Sequence, residues 1–440
     1  MSPVPQPPWT IAPFIVYLLS IALLPLVLGR LWESNRAKLA LALVASAPVI
    51  AYLVGWQHGG GELLCEAARE YFAFMALLGA LFVISGGIYL RGSLAGTPLV
   101  NTLFLAIGSV LASVVGTTGA SALLIRPLLR ANARRTRRRH IVIFFIFIVA
   151  NGAGLLTPLG DPPLFLGFLR GVPFTWTLRL AAPWALVNGT LIVVFGLVDR
   201  WFVVREPVPS GEPPPRDSES LALEGSLNLV WLFGVVATVF LVGSYGTRVI
   251  PGATARAATQ IAALSALAAL SMKTTATRIH EANRFSWAPI HEVAVVFVGV
   301  FVTMIPALSF LGERGASLGI TKPWQFFWAS GGLSSVLDNA PTYLTFAALA
   351  TGVADAGAGV LSPGNLGGVA AHPVGQTLLA AVSCGSVLMG AMTYIGNGPN
   401  FMVKAIAEQH HVRMPSFFGY TFWSFAVLVP IFCVVALLFF

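Results

Sequence analysis

Two aspartates, Asp161 and Asp338, lie within stretches of apolar sequence long enough to enter a bilayer. An ionisable group at that depth is costly and marks a functional site by default. The sequence around Asp161 runs Asn151-Gly-Ala-Gly-Leu-Leu-Thr-Pro-Leu-Gly-Asp-Pro-Pro163. Its glycines and prolines break a helix and leave backbone carbonyls and amides unpaired. Such backbone survives at membrane depth only where it lines a protein-enclosed cavity. Similar signals surround Gly116-Thr-Thr-Gly-Ala-Ser121, Asp338-Asn-Ala-Pro-Thr342 and Thr393-Tyr-Ile-Gly-Asn-Gly-Pro-Asn400. Brought together, these four stretches offer carboxylates (Asp161, Asp338), hydroxyls (Thr117, Thr118, Thr157, Thr342, Thr393) and amides (Asn151, Asn339, Asn397, Asn400). Oxygen-rich sets of this kind suit hard alkali cations. Two carboxylates in a poorly hydrated site resist being charged together, so protons and a cation would compete for them. Gly116, Gly119, Gly160, Gly396 and Gly398 are expected to allow close approach and hinging.

The elements that must position these residues are repeated. Gly154 to Phe165 aligns without a gap on Gly390 to Phe401, both reading Gly-x-x-Thr-x-(Leu/Ile)-Gly-(Asp/Asn)-x-Pro-x-Phe, at an offset of 236 residues. Leu111-Ala-Ser-Val-Val-Gly116 aligns on Leu333-Ser-Ser-Val-Leu-Asp338 at an offset of 222, which also places Glu70 on Glu292. Paired helix breaks in corresponding halves point to a transporter site. Full-length apolar segments are predicted near 11–29, 37–56, 70–90, 140–157 and 176–199, then near 227–244, 256–272, 288–310, 376–395 and 416–440. Regions 97–130 and 322–352 are interrupted midway, with arms mostly too short to cross, and read as re-entrant hairpins. Each half therefore has five crossings. The odd number inverts the second half, giving an all-α polytopic membrane protein with an inverted repeat of about ten spans, two re-entrant hairpins and two broken helices. The expected divisions are 1–204, a polar linker at 205–225, and 226–440.

Composition agrees. The chain is 56% hydrophobic and 10% charged, against about 25% charged in soluble domains. Its net charge of +9 concentrates in loops. Placing the run Arg134 to Arg139 in the cytoplasm puts 19 of the 26 lysines and arginines at or near the inner face, leaving seven outside. The positive-inside rule then sets both termini outside the cytoplasm of a cell membrane, and no nucleic-acid partner is expected. Cys65, Cys384 and Cys433 have no zinc or disulfide spacing, and the histidines form no metal pattern. No cofactor or resident metal is expected. The first apolar segment lacks a basic n-region and is not read as a signal peptide. Arg126 and Lys404 are taken as inner helix ends, Glu70 and Glu292 as residues near span ends, and Asp338 also as an N-cap.

At Thr117-Thr-Gly-Ala-Ser-Ala-Leu-Leu-Ile-Arg-Pro127, Leu156-Thr-Pro-Leu-Gly-Asp-Pro-Pro163, Ser335-Val-Leu-Asp-Asn-Ala-Pro-Thr342 and Ile395-Gly-Asn-Gly-Pro-Asn400 the chain resembles the ion-transporter superfamily. Within it, the resemblance is to the group joining NhaD-type sodium/proton antiporters with arsenite permeases. It implies a scaffold, a mobile domain carrying hairpins and broken helices, and elevator-type movement, in this group often within a homodimer. Dicarboxylate carriers of the same superfamily typically carry Ser-Asn-Thr at the hairpin tips, where this chain has Gly-Thr-Thr and Asp-Asn-Ala.

The leading expectation is exchange of sodium or lithium for protons, with Asp161 and Asp338 carrying coupling and Asn397 and Thr157 as neutral ligands. The alternative is an arsenite or small organic anion permease of the same fold. An intramembrane aspartyl protease is the remote third. Leu159-Gly160-Asp161 and Pro306-Ala307-Leu308 echo its motifs, but Pro158 replaces the first glycine and Leu337 precedes the second acid. The chain is not expected to be an enzyme.

Overall fold

The computed structural model describes residues 7–27, 34–92, 95–206, 222–314, 317, 319–355, 360–362 and 364–440. Most of the 205–225 linker therefore lies outside the described residues. The protein is an all-α membrane transporter fold. Among the described residues, nine helical stretches are long and apolar enough to cross a membrane. Their outward faces carry bare aliphatic side chains, such as Val44, Val204 and Leu437 at 72%, 77% and 85% exposure, as a lipid-facing surface requires.

The first half begins with three spans, α1 (Ala12–Val27), α2 (Asn35–Gly55) and α3 (Gly60–Gly86). Next comes a hairpin of α4 (Pro98–Val115) and α5 (Thr117–Ala131), turning at Gly116. Thr97 caps α4 by accepting from the Val100 amide, with Pro98 in the first turn. The broken span follows as α6 (Arg139–Ile148) and α7 (Pro162–Leu169), and α8 (Ala181–Val204) closes the half. The second half repeats the order. Three spans, α9 (Leu227–Val249), α10 (Ala253–Thr274) and α12 (Ala288–Arg314), are interrupted by the short α11 (Thr277–Ala282). The hairpin pairs α13 (Pro323–Ser334) with α14 (Asn339–Asp355). After the short α15 (Leu366–Ala371) come α16 (Pro373–Met389), its broken continuation α17 (Gly398–Gln409), and α18 (Phe417–Phe439).

The hairpins enter from opposite ends. The arms of the first begin and finish beside Arg135, which pairs with Asp199 near the end of α8. Those of the second open at the other end, where Arg179 meets Gln376 at the start of α16. Ten residues of α6 rise about 15 Å, half a hydrocarbon core, so the break sits at mid-depth. The spans of the two halves also interlock, with α2 on α12 and α10 on α3, each half's second span on the other's third.

Two features depart from the sequence reading. The arm α4, at 18 residues and mean hydropathy 2.0, is long enough to cross by itself; it is a hairpin arm because Gly116 reverses the chain against the first break. The linker's end forms strand β2 (Ala222–Glu224), paired antiparallel with β1 (Tyr89–Arg91) after α3. Asn228 reinforces that junction by donating to the Gly87 carbonyl at 2.9 Å.

Candidate functional site

The two breaks share a backbone solution. Asp161 is the residue before α7, with φ −147° and ψ 145°, and Asn397 the residue before α17, with φ −150° and ψ 138°. In both cases a proline at the start of the helix lacks the donor that a cap would need, and neither side chain caps its helix. Each is therefore released to face the centre. Gly116 adopts φ +81°, a region that favours glycine, and this turn lets the Thr117 amide donate to the Gly160 carbonyl at 2.9 Å. Gly160 is obligatory for a second reason: a Cβ there would lie 2.4 Å from the Gly154 carbonyl oxygen.

Threonine hydroxyls join each hairpin to its break. Thr157 Oγ1 donates to the Ser113 carbonyl and accepts from the Leu159 amide. Thr393 Oγ1 donates to the Ser335 carbonyl and accepts from the Ile395 amide. Both sets of partners are related by the sequence offsets of 222 and 236. These two hydroxyls hold the scaffold of the site and are committed to backbone.

Asp161 lies at the middle, 2% exposed. Its Oδ1 accepts from Thr117 Oγ1 at 2.9 Å, and its Oδ2 accepts from Asn339 Nδ2 across the pseudo-symmetry axis. Thr117 and Asn339 are themselves equivalent at the offset of 222, so the tips of both hairpins converge on one carboxylate. With its amide nitrogen fixed on Asp161, Asn339 presents an Oδ1 that is buried and, among the described residues, has no hydrogen-bond partner. Asp338 is half-buried beside it; its Oδ1 accepts from the Ala340 amide at 3.0 Å and caps α14. Thr342 donates back to the Asp338 carbonyl.

The other amides tie the breaks together. Asn397 Nδ2 donates to Asn151 Oδ1 at 3.1 Å, Asn151 Nδ2 donates to Asn400 Oδ1 at 2.6 Å, and Asn400 Nδ2 donates to the Gly390 and Thr393 carbonyls. Gly396 permits this closeness, since its Cβ would meet the Gly390 oxygen at 2.6 Å. Gly119 instead packs on α3, 2.5 Å from Ser85 Oγ as a Cβ would sit, and Gly398 faces open space.

A cavity of about 30 Å³ separates Asp161, Thr117 and Thr118 from Phe74 and Leu81 of α3. A larger one of about 330 Å³ adjoins it at Phe82, bounded by Ser85, Arg126, Arg284 and Gln409 and lying toward the arginine-rich end. On the other side, Arg170 at the end of α7 is paired with Glu70 of α3 at 2.9 Å. Glu70 is therefore an ion-pair partner across the cleft, and its repeat mate Glu292 pairs with Lys38 at 2.5 Å. Lys404 pairs with Glu408 at 3.1 Å.

Sequence reasoning passed over one cluster. Asp199, fully buried in α8, accepts from Asn101 and lies 2.7 Å from His140 Nε2 and 2.6 Å from Arg135. The signal was an acid in an apolar span within reach of a basic loop. Among the described residues, no group of three histidine, cysteine or acidic side chains could hold a metal.

The chain matches over residues 4–440 the family model CitMHS_2, described as putative citrate transport. It belongs to that family. No curated protein matches the chain. The family is one of membrane transporters, which agrees with the broad resemblance read from the motifs; it does not name the antiporter and arsenite permease group within it.

Proposed function

We propose that this transporter couples its cycle to sodium or lithium and protons, which alternate at Asp161. The observation that carries this is the isolation of a carboxylate: Asp161 is buried among hydroxyl and amide donors, and among the described residues its hydrogen-bond partners include no arginine or lysine. A carboxylate withdrawn from water without a counter-charge is strongly unfavourable, so it needs a proton or a cation. The unpartnered Asn339 Oδ1 supplies a second oxygen beside it, and Asp338 a nearby second acid. Either the sodium-loaded or the protonated site is neutral at Asp161 and able to reorient, whereas the empty charged site is held back. This is antiport.

A second reading draws on the family description and on Arg126 and Arg284 in the larger cavity. There the cation site would drive uptake of a small organic anion such as citrate, admitted through that basic vestibule. Purified protein in proteoliposomes separates the two. Sodium- or lithium-driven proton flux without any anion supports exchange. Labelled citrate uptake that requires sodium, with no proton flux in its absence, supports the carrier. Flux of neither kind that depends on sodium or lithium removes the cation site.

A further inference from the structure

Near the arginine-rich end, away from Asp161, α6, α8 and the segment between α17 and α18 enclose a cavity of about 450 Å³. Arg137, Arg138, Arg139 and Arg413 line it, and among the described residues no acidic side chain does; Glu206 lies behind it, accepting from Thr136 and from the Arg137 backbone amide. Among the described residues, none of these four guanidinium groups is paired with a carboxylate. Arg138 and Arg139 are held in place by donating to the carbonyls of His411 and Arg413. Arg137 lies 5.9 Å over the Phe202 ring, and among the described residues the side chain of Arg413 has no hydrogen-bond partner. Four like charges around one cavity make a positive field that draws in an anion.

The position of the cavity selects the anion. Its apolar walls are Phe202 of α8 and Trp423 of α18. These two helices turn large apolar side chains outward nearby: Val204 at 77%, Phe418 at 81% and Phe422 at 75% exposure. Trp201, stacked under Arg205 at 3.9 Å, is of the kind found at headgroup depth. We propose that this cavity binds the phosphodiester headgroup of an anionic phospholipid, with the acyl chains lying along the outer faces of α8 and α18. Basic pockets between spanning helices suit such headgroups, and the adjoining apolar surface distinguishes a lipid from a free phosphate ion. The lipid would join the first broken helix to the last span.

The test uses the full chain in nanodiscs of phosphatidylcholine with and without phosphatidylglycerol, followed by native mass spectrometry and thermal unfolding. Wild-type protein should retain phosphatidylglycerol selectively and unfold at higher temperature in its presence. Arg137→Gln with Arg413→Gln removes two charges that hold no protein oxygen, and should weaken retention roughly 30-fold, about five-fold per arginine. Arg248→Gln at the opposite end should change nothing. Retention unaffected by the double variant would overturn the site. Equal protection by millimolar inorganic phosphate in phosphatidylcholine alone would overturn the lipid as its occupant.

Discussion

Replacing Asp161 with asparagine tests the centre of the mechanism without disturbing its shape. The new side chain can accept from Asn339 through its oxygen, and the Thr117 hydroxyl can turn to accept from its nitrogen, so both contacts to Asp161 persist. What disappears is the charge. A unit charge acting on a cation 4 Å away is worth about 4 kcal/mol at an effective dielectric constant of 20. If the amide dipole recovers half of this, about 2 kcal/mol is lost, roughly 30-fold in sodium affinity. At a sodium concentration of 100 times the wild-type Kd, stabilisation of the folded protein would fall from about 2.7 to about 0.9 kcal/mol. Sodium-dependent thermal unfolding in detergent reads this difference directly, and proteoliposome flux reads the loss of coupling. The reasoning fails if Asp161→Asn keeps the full sodium-dependent stabilisation together with sodium-driven proton flux.

Other consequences follow from the same geometry. Thr117→Val removes a hydrogen bond to a buried carboxylate, worth about 1.5–3 kcal/mol, so thermal stability should fall by that order, and Thr117→Ser should restore it. If protons and sodium compete for the same carboxylate, as proposed, apparent sodium affinity should weaken as pH falls, by up to about ten-fold per pH unit when one proton is exchanged; a flat profile would contradict competition. Gly160→Ala places a Cβ against backbone at 2.4 Å and should destabilise by about 1–3 kcal/mol in thermal unfolding, whereas Gly398→Ala, facing open space, should be close to neutral. In a variant lacking Cys65, Cys384 and Cys433, single cysteines at the exposed positions Arg134 and Gly364 should label from opposite sides of the membrane, and labelling of both from one side would refute the inverted order of the halves.

The sequence carried the architecture because its cost in a membrane is so high. A glycine- and proline-rich break at Asn151 to Pro163 cannot be hidden in lipid, and the hairpin turn at Gly116 must likewise be enclosed. The span order and the repeat follow from those signals, and Asp161, Thr117 and Asn339 do meet. Less legible was the division of labour among similar side chains. Thr117 and Thr157 look alike in sequence, yet one faces the carboxylate and the other is tied on both sides to backbone. The amides of Asn151, Asn397 and Asn400 read alike as candidate ligands; their hydrogen bonds to one another join the two breaks, and Asn397 also lies within hydrogen-bonding reach of Asp161. Such choices depend on contacts between residues 44 to 249 positions apart, which periodicity does not encode. The pair Glu70–Arg170, at a separation of 100 residues, escaped for the same reason.

The reach of Asn339 to Asp161 also bears on how the protein is made. The two residues are 178 positions apart, a delay of roughly 10–35 s at ordinary rates of synthesis. During that interval the first half is in the bilayer with its buried acid only partly satisfied, and with α2 and α3 still waiting for the spans they pack against. The nascent first half is thus an unfinished object, one that membrane quality control would have reason to recognise. Maturation comes late, when the second hairpin arrives from the opposite end and closes over the carboxylate.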